Sequence, residues 1–250
     1  MESAKVKIFS IEINELSFQN ILDISTEAIS LSRKVSIGYV NPHILRLLER
    51  NKNLKKIFNS FNYLHADGFG LKIASRILLA NKILNPLNWT DSAEKYLQFC
   101  SENHYRIFFI GGTTAILENS VGKIKQKYPD IKIVGYLNGY DQLNRNTVSI
   151  INQLKPHILW VGLGSPKQEI WLKENSSYLD FNIAQCVGDV FSYLAGERIR
   201  GSKLLRDNGF EWLFRLIQHP VKYFNRYVIG IPHFLYLIIK YKSKQTKDFN

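Results

Sequence analysis

Three short clusters hold the side chains and turns best placed to do chemistry. Asp67 stands in His65-Ala66-Asp67-Gly68-Phe69-Gly70, after a short apolar run and ahead of a helical stretch. A carboxylate there either caps the following helix or takes a proton from a bound hydroxyl, since partial desolvation raises its pKa toward a useful value. The sequence leaves both roles open, and His65 alone carries little weight. The second cluster, Ile107–Thr114, reads as a strand, the turn Gly111-Gly112-Thr113 and a helix start. Glycines let a ligand approach the backbone, and free N–H groups at a helix N-terminus favour an anion such as a diphosphate. The same residues also serve as a plain strand-to-helix turn. They lack the full G-x-G-x-x-G and the P-loop lysine, so they specify neither a dinucleotide nor ATP.

The third cluster is Leu159–Glu169, in which a strand runs into Gly162 and Gly164 and then into Ser165-Pro166. Ser-Pro fits the N-cap and first position of a helix. Capping accounts for Ser165 and Pro166 but not for Lys167, Gln168 and Glu169, which fall in the first turn beside the strand ends. No Asp-X-Asp pair occurs in the chain, so a divalent cation on a diphosphate has no evident ligand set. Its charge would then fall to backbone N–H groups and to Arg or Lys. Arg215, Lys222 and Arg226 are candidates, although a solvated basic face is the more common fate of such residues.

The elements that must position these clusters alternate. Strands are read at Val6–Ile13, Val35–Val40, Asn62–Leu64, Arg106–Ile110, Ile131–Tyr136, His157–Val161 and Asn182–Val187. Helical periods fall at Gln19–Ser32, Leu71–Leu79, Ser92–Cys100, Thr114–Lys127, Leu143–Leu154 and Gly164–Glu174. Apolar strands alternating with helices predict an α/β fold, Rossmann-like, with a mainly parallel sheet covered on both faces. Ligands in such sheets bind at the carboxyl ends of the strands. Asn41, Asp67, the Gly111 turn, Gly162–Gln168 and Gly188-Asp189 all fall there.

After Gly196 the character changes, and the chain divides into a Rossmann-like α/β body, 1–197, and a basic, aromatic helical appendage, 198–250. Residues 198–250 carry eleven Lys and Arg against three Asp and Glu, most of the chain's net charge of +12. Trp212, Phe214, Tyr223, Phe224 and Tyr227 interleave with the cations, and Pro220 and Pro232 are expected to break the segment into short helices. Such a tail suits nucleic acid, anionic lipid or phosphate groups. Its aromatic and apolar side chains suit a membrane interface, with cations meeting anionic lipid or a lipid diphosphate.

Hydrophobic residues make up 45% of the 250 and charged residues 22%, which argues for a folded core and against disorder. Cys100 and Cys186 lie too far apart for a zinc spacing or a disulfide framework and read as reduced, buried thiols. The N-terminus has no long apolar run, and no stretch of ~18 apolar residues is uninterrupted, so neither a signal peptide nor a spanning helix is expected.

In their order along the chain these motifs resemble the WecB/TagA/CpsF family of bacterial glycosyltransferases (glycosyltransferase family 26), over about Val35 to Phe234. The resemblance rests on Val40-Asn41-Pro42, Ala66–Gly70, Phe109–Gly112, Gly135 with Asn138-Gly139-Tyr140, and Val161–Glu169. Val187-Gly188, Ala195-Gly196, Arg200, Gly209–Arg215 and Arg226-Tyr227 complete it. It implies inverting transfer of a sugar, commonly an N-acetylhexosamine such as N-acetylmannosamine, from a UDP donor to a polyprenyl-diphosphate-linked acceptor. The product would serve teichoic acid or another surface polysaccharide.

The resemblance also implies no metal or other cofactor, Asp67 as base, a functional Gln168, and a tail that docks on the membrane and brings Arg215 and Arg226 to the site. Asn41, Gly111, Gly112, Thr113, Gly139, Tyr140, Gly162, Gly164, Lys167, Glu169, Gly188 and Lys222 are the expected substrate contacts. The protein would be cytoplasmic and peripheral on the inner face of the membrane, with no nucleic-acid partner and with room for a homo-oligomer. The chain departs from many members at Tyr39 (often Thr), Pro86 (usually Arg), Ser192 (commonly Asp) and Lys222 (often Arg). Lys222 keeps the charge and loses the bidentate fork. The competing readings are a nucleic-acid-binding protein and another nucleotide-sugar enzyme, such as an epimerase or dehydrogenase. The second would want a dinucleotide fingerprint and a catalytic Tyr/Lys or Cys set that the chain does not show.

Overall fold

The computed structural model describes residues 4–79, 84–140, 143 and 146–247. It begins with a hairpin, β1 (Lys5–Ile8) against β2 (Ile11–Asn14), where the alternation of Val6–Ile13 predicts one strand. Phe9 and Ser10 both adopt positive φ, 49° and 66°. Two such residues in succession reverse an extended chain, so the alternating run folds back on itself. Helix α1 (Phe18–Ser30) follows, capped by Ser17, whose hydroxyl accepts from the Asn20 N–H.

The parallel body starts at β3 (Val35–Val40). The connection to β4 (Tyr63–Ala66) runs through α2 (Pro42–Arg50) and α3 (Lys52–Asn59). Then come α4 (Phe69–Leu78), α5 (Trp89–Glu102), β5 (Arg106–Gly111), α6 (Thr114–Lys127), β6 (Lys132–Leu137) and α7 (Thr147–Leu154). The helix expected over Leu143–Leu154 is therefore shorter at its start, and residues 144–145 lie outside the described residues. β7 (Ile158–Gly162), α8 (Lys167–Asn175), β8 (Ile183–Cys186) and the short α9 (Val190–Leu194) close the body.

Among the described residues eight strands form one sheet in the order β1-β2-β4-β3-β8-β7-β5-β6, parallel at each pairing except β1 with β2. The central strands are apolar on both faces because helices cover both. Ile37, Phe109, Trp160 and Ile183 point into one core with α1, α5 and α6, while Phe108, Leu159, Val161 and Ala184 point into another. Chain order departs to one side of β3 for β4 and to the other side for β5 and β7. Strand ends at such a reversal leave a crevice above the sheet.

The appendage comprises α10 (Lys203–Asp207), α11 (Glu211–Gln218), α12 (Pro220–Phe224), a π turn over Asn225–Ile229 and α13 (Gly230–Lys247). Pro220 starts α12 as expected, but Pro232 breaks nothing. It lies in the first turn of α13, where a missing N–H costs least. α13 sends Phe234, Leu237 and Ile238 into the core that holds the β1–β2 hairpin, α2 and α4. Tyr241 donates to Glu49 at 2.9 Å, and Arg46 donates to His233 at 3.0 Å. Cys100 and Cys186 are free and buried. Among the described residues no helix is long and apolar enough to cross a membrane.

Candidate active site

The carboxyl ends of β3, β4, β5, β7 and β8 open into a polar cavity of about 380 Å³. Each end is shaped by local chemistry. Asn41 ends β3 and caps α2, accepting from the Ile44 N–H at 3.0 Å. Thr113 caps α6 after the Gly111-Gly112 turn, accepting from the Ile116 N–H. Gly111 has φ +141°, and a Cβ on it would lie 2.4 Å from the Gly162 carbonyl oxygen, so the ends of β5 and β7 approach more closely than any side chain allows.

Asp67 follows β4, and its N–H donates to the Val40 carbonyl at 2.8 Å. Helix α4 takes Gly68 at its N-cap position and receives no side-chain cap. The capping role that the sequence left open for Asp67 is therefore not taken, and the carboxylate faces the cavity. Burial raises its pKa to about 6, against the opposing pull of Arg215, Arg226 and a hydrogen bond from Asn41. A carboxylate so placed is ionised near neutrality yet basic enough to accept a proton. His65 is buried, with Nδ1 3.1 Å from the Ala66 carbonyl oxygen, and burial pushes its pKa down to about 4, so it stays neutral.

A second, mainly apolar cavity of about 240 Å³ lies on the appendage side, walled by Phe69, Ile73, Trp212, Tyr227, Ile231 and Phe234. Asn41, His43, Asp67, Arg215 and Arg226 line both cavities. Asp67 therefore stands where a polar chamber meets an apolar one.

The appendage supplies the cations. Arg215 Nη2 donates to Glu211 Oε1 at 2.6 Å, one helical turn back, and its guanidinium lies 6.0 Å from the Tyr193 ring centre. Burial disfavours that cation, but Glu211, Tyr193 and Tyr227 outweigh burial and raise its pKa. Glu211 also meets Arg200 at 3.3 Å, and Arg200 and Arg206 both pair with Asp91 at the start of α5. An ion-pair chain thus ties the appendage to the body beside the cavity. Arg198 pairs with Asp189 and donates to the Tyr223 hydroxyl at 3.1 Å.

The residues expected from the sequence fall into three groups. Asn41, Asp67, Gly112, Thr113, Tyr140, Gly162, Gly164, Gly188, Arg215, Lys222 and Arg226 line the polar cavity. Gly111 and Gly139 stand just behind it, the first buried and the second half-buried, and Lys167 is exposed at the start of α8. Gln168 and Glu169 are fully buried beneath it. Ser165 does not cap α8, which begins at Lys167 with no side-chain cap. Its hydroxyl instead donates to Glu169 Oε2 at 2.8 Å, because a buried carboxylate must be hydrogen-bonded.

Residues that the sequence did not single out for the site include Asn88, Trp89, Tyr193 and Arg198, all lining the polar cavity. Asn88 ahead of Thr90 carries a helix-cap signature that would have flagged its loop, since its side chain accepts from the Thr90 N–H. No local pattern marks Arg198. Among the described residues, no three His, Cys, Asp or Glu side chains gather as a metal-ion site.

Comparison with known proteins matches residues 6–248 to the model of the glycosyl transferase WecG/TagA/CpsF family. Two similar relatives come from Staphylococcus aureus, strains MW2 and NCTC 8325 / PS 47. Each is an N-acetylglucosaminyldiphosphoundecaprenol N-acetyl-beta-D-mannosaminyltransferase. Each is 27% identical over 247 residues, covering 98% of this chain and 96% of the relative.

Proposed function

The chain belongs to the WecG/TagA/CpsF family of glycosyl transferases and is a glycosyltransferase, and from that premise we propose its substrates and the roles of its residues. The donor is a UDP-linked N-acetylhexosamine, with N-acetylmannosamine first in line from the names of the relatives. The acceptor is an N-acetylglucosamine carried on a polyprenyl diphosphate, and the product enters surface-polymer synthesis. The observation that carries this reading is the sharing of Asp67 by the two cavities. A polar chamber suits a nucleotide sugar, an apolar one suits the lipid side of an acceptor, and the reacting atoms must meet between them.

In this reaction Asp67 takes the proton from an acceptor hydroxyl as that oxygen attacks the anomeric carbon. UDP departs from the opposite face, so the configuration inverts. The negative charge that grows on the leaving diphosphate is met by Arg215, Arg226 and Lys222, with the N–H groups at the start of α6 as further donors. No metal is assigned a part. The exposed apolar side chains of the appendage rest on the inner face of the cytoplasmic membrane and bring the lipid-borne acceptor to the second cavity.

The test is a panel of UDP-sugars offered with a lipid-diphosphate-linked N-acetylglucosamine, with products read by mass spectrometry. A product heavier by one N-acetylhexosamine is expected. Absence of product with every UDP-sugar, while the folded protein still binds UDP, would overturn the reading.

A further inference from the structure

Tyr39 occupies a position in the polar cavity for which neither fold nor core requires a hydroxyl. It sits next to the end of β3, in register with His65 on β4, and the two rings lie 6.0 Å apart at 41°. Its ring packs on the core below, while the residue as a whole lines the cavity together with Asp67, Trp89, Gly188 and Ser192. The hydroxyl reaches across to the loop after β8. A Cβ added at Gly188 would lie 2.8 Å from it, and Gly188 has φ +64°. Only glycine combines that backbone with room for the phenol.

The Tyr39 hydroxyl has no hydrogen-bond partner among the described residues, and the residue is half-buried, with the polar cavity as its open side. It therefore opens into the cavity. Burial, then the carboxylates of Glu169 and Asp67, push its pKa up, so it stays a neutral donor at any working pH. An unpartnered donor in a confined polar chamber is what a site built to read one polar group of a ligand presents.

The position of Asp67 says which part of the ligand lies there. Resting on the reading above, the anomeric carbon must lie within reach of the hydroxyl that Asp67 deprotonates, so the portion of the donor nearest Asp67 is the transferred sugar. The nucleotide then extends toward Gly112 and Thr113. We propose that Tyr39 selects the transferred sugar: its hydroxyl donates a hydrogen bond to a hydroxyl or acetamido oxygen of the hexosyl group, and its ring limits the size of the substituent beside it.

The test separates sugar from nucleotide. Calorimetry on the intact chain measures Kd for UDP, UDP-N-acetylmannosamine and UDP-N-acetylglucosamine, with Tyr39→Phe removing only the hydroxyl and Tyr39→Thr also opening the space. Tyr39→Phe is expected to weaken the preferred UDP-sugar about tenfold or more and to leave UDP within twofold. Tyr39→Thr is expected to narrow the gap between the two UDP-sugars to less than half its wild-type ratio. Unchanged affinity for the UDP-sugars in Tyr39→Phe overturns the proposal, as does equal weakening of UDP and UDP-sugar. It is equally overturned if the wild type binds UDP and both UDP-sugars alike. These are binding readouts, so a failure of the transferase reading itself would show separately, as absent product in the turnover panel.

Discussion

The Gly188 N–H donates to the Gln168 side-chain oxygen across 3.0 Å, joining the end of β8 to the first turn of α8 beneath the polar cavity. Gln168 Nε2 donates in turn to Glu169 Oε1 at 2.8 Å, and the Ser165 hydroxyl holds the other Glu169 oxygen. This chain of three hydrogen bonds joins the two loops that floor the cavity. Gln168→Ala leaves the Gly188 N–H and one Glu169 oxygen without partners, at about 1–3 kcal/mol for each buried group. Urea denaturation should show a lower midpoint together with reduced turnover. An unmoved midpoint would show that the brace does not matter to the fold.

Asp67 offers a cleaner separation of chemistry from folding, since its carboxylate caps nothing. Asp67→Asn should keep the urea midpoint near or above wild type and UDP affinity close to it, while kcat falls about 10²–10⁴-fold. For the wild type, kcat/KM should rise with pH through about 6, because the base acts only when ionised. Arg215 and Arg226 hold that value down, so Arg226→Gln should move the rising limb to higher pH. A limb that stays in place in Arg226→Gln, or full activity in Asp67→Asn, would remove Asp67 from the role.

Glu169 makes a prediction about stability. Burial first, against its hydrogen bonds from Gln168 and Ser165, raises its pKa from 4.5 to about 7. Between those values the unfolded chain holds fewer protons than the folded one, so this group's contribution is full below pH 4.5 and is lost as pH rises through 7. His43 and His65, with pKa values lowered to about 4 chiefly by burial, act in the opposite sense between pH 4 and 6.5. The difference between wild type and Glu169→Gln cancels the histidines. Relative to the wild type, the variant should gain stability steadily from pH 4.5 to 7.5 in denaturant titrations. A difference that does not vary with pH would mean that Glu169 is ionised throughout.

The appendage leaves Ile217, Val221, Phe224 and Ile239 exposed, Val221 at 93%, beside exposed Lys222, Lys240, Lys242 and Lys244. Apolar side chains amid cations fit the headgroup region of an anionic bilayer. The wild type should float with liposomes containing anionic lipid, less so at high salt, and Ile217→Asp with Val221→Asp should not. Both side chains are free of the core, so the double variant should keep its urea midpoint. Equal flotation of the two proteins would place the membrane contact elsewhere.

Much of the body could be read from residues alone because its signals are local. Thr113 ahead of an amphipathic run fixed α6 at Thr114–Lys127, and apolar runs ending in Gly or Asn marked β3, β5 and β7. The early hairpin was not legible, since Phe9 and Ser10 are not residues that announce positive φ. The inward turn of Gln168 and Glu169 was equally hidden. Polar residues in a helix's first turn read as cavity contacts, and only the tertiary fold shows them sealed below the floor. The ordered motifs identified Asp67 as a base candidate, whereas its place between a polar and an apolar chamber needed the appendage in three dimensions.

That arrangement also bears on when the protein becomes competent during its own synthesis. Asn41 and Asp67 leave the ribosome well over a hundred residues before Arg215, Arg226 and the Trp212–Phe234 wall of the apolar chamber. α13 must then return to the first hairpin, where Phe234 meets Phe9 at 5.6 Å. A chain synthesised only as far as α9 lacks the Arg215 and Arg226 side of both cavities. The two chambers meet around Asp67 only once α11 to α13 have joined the sheet.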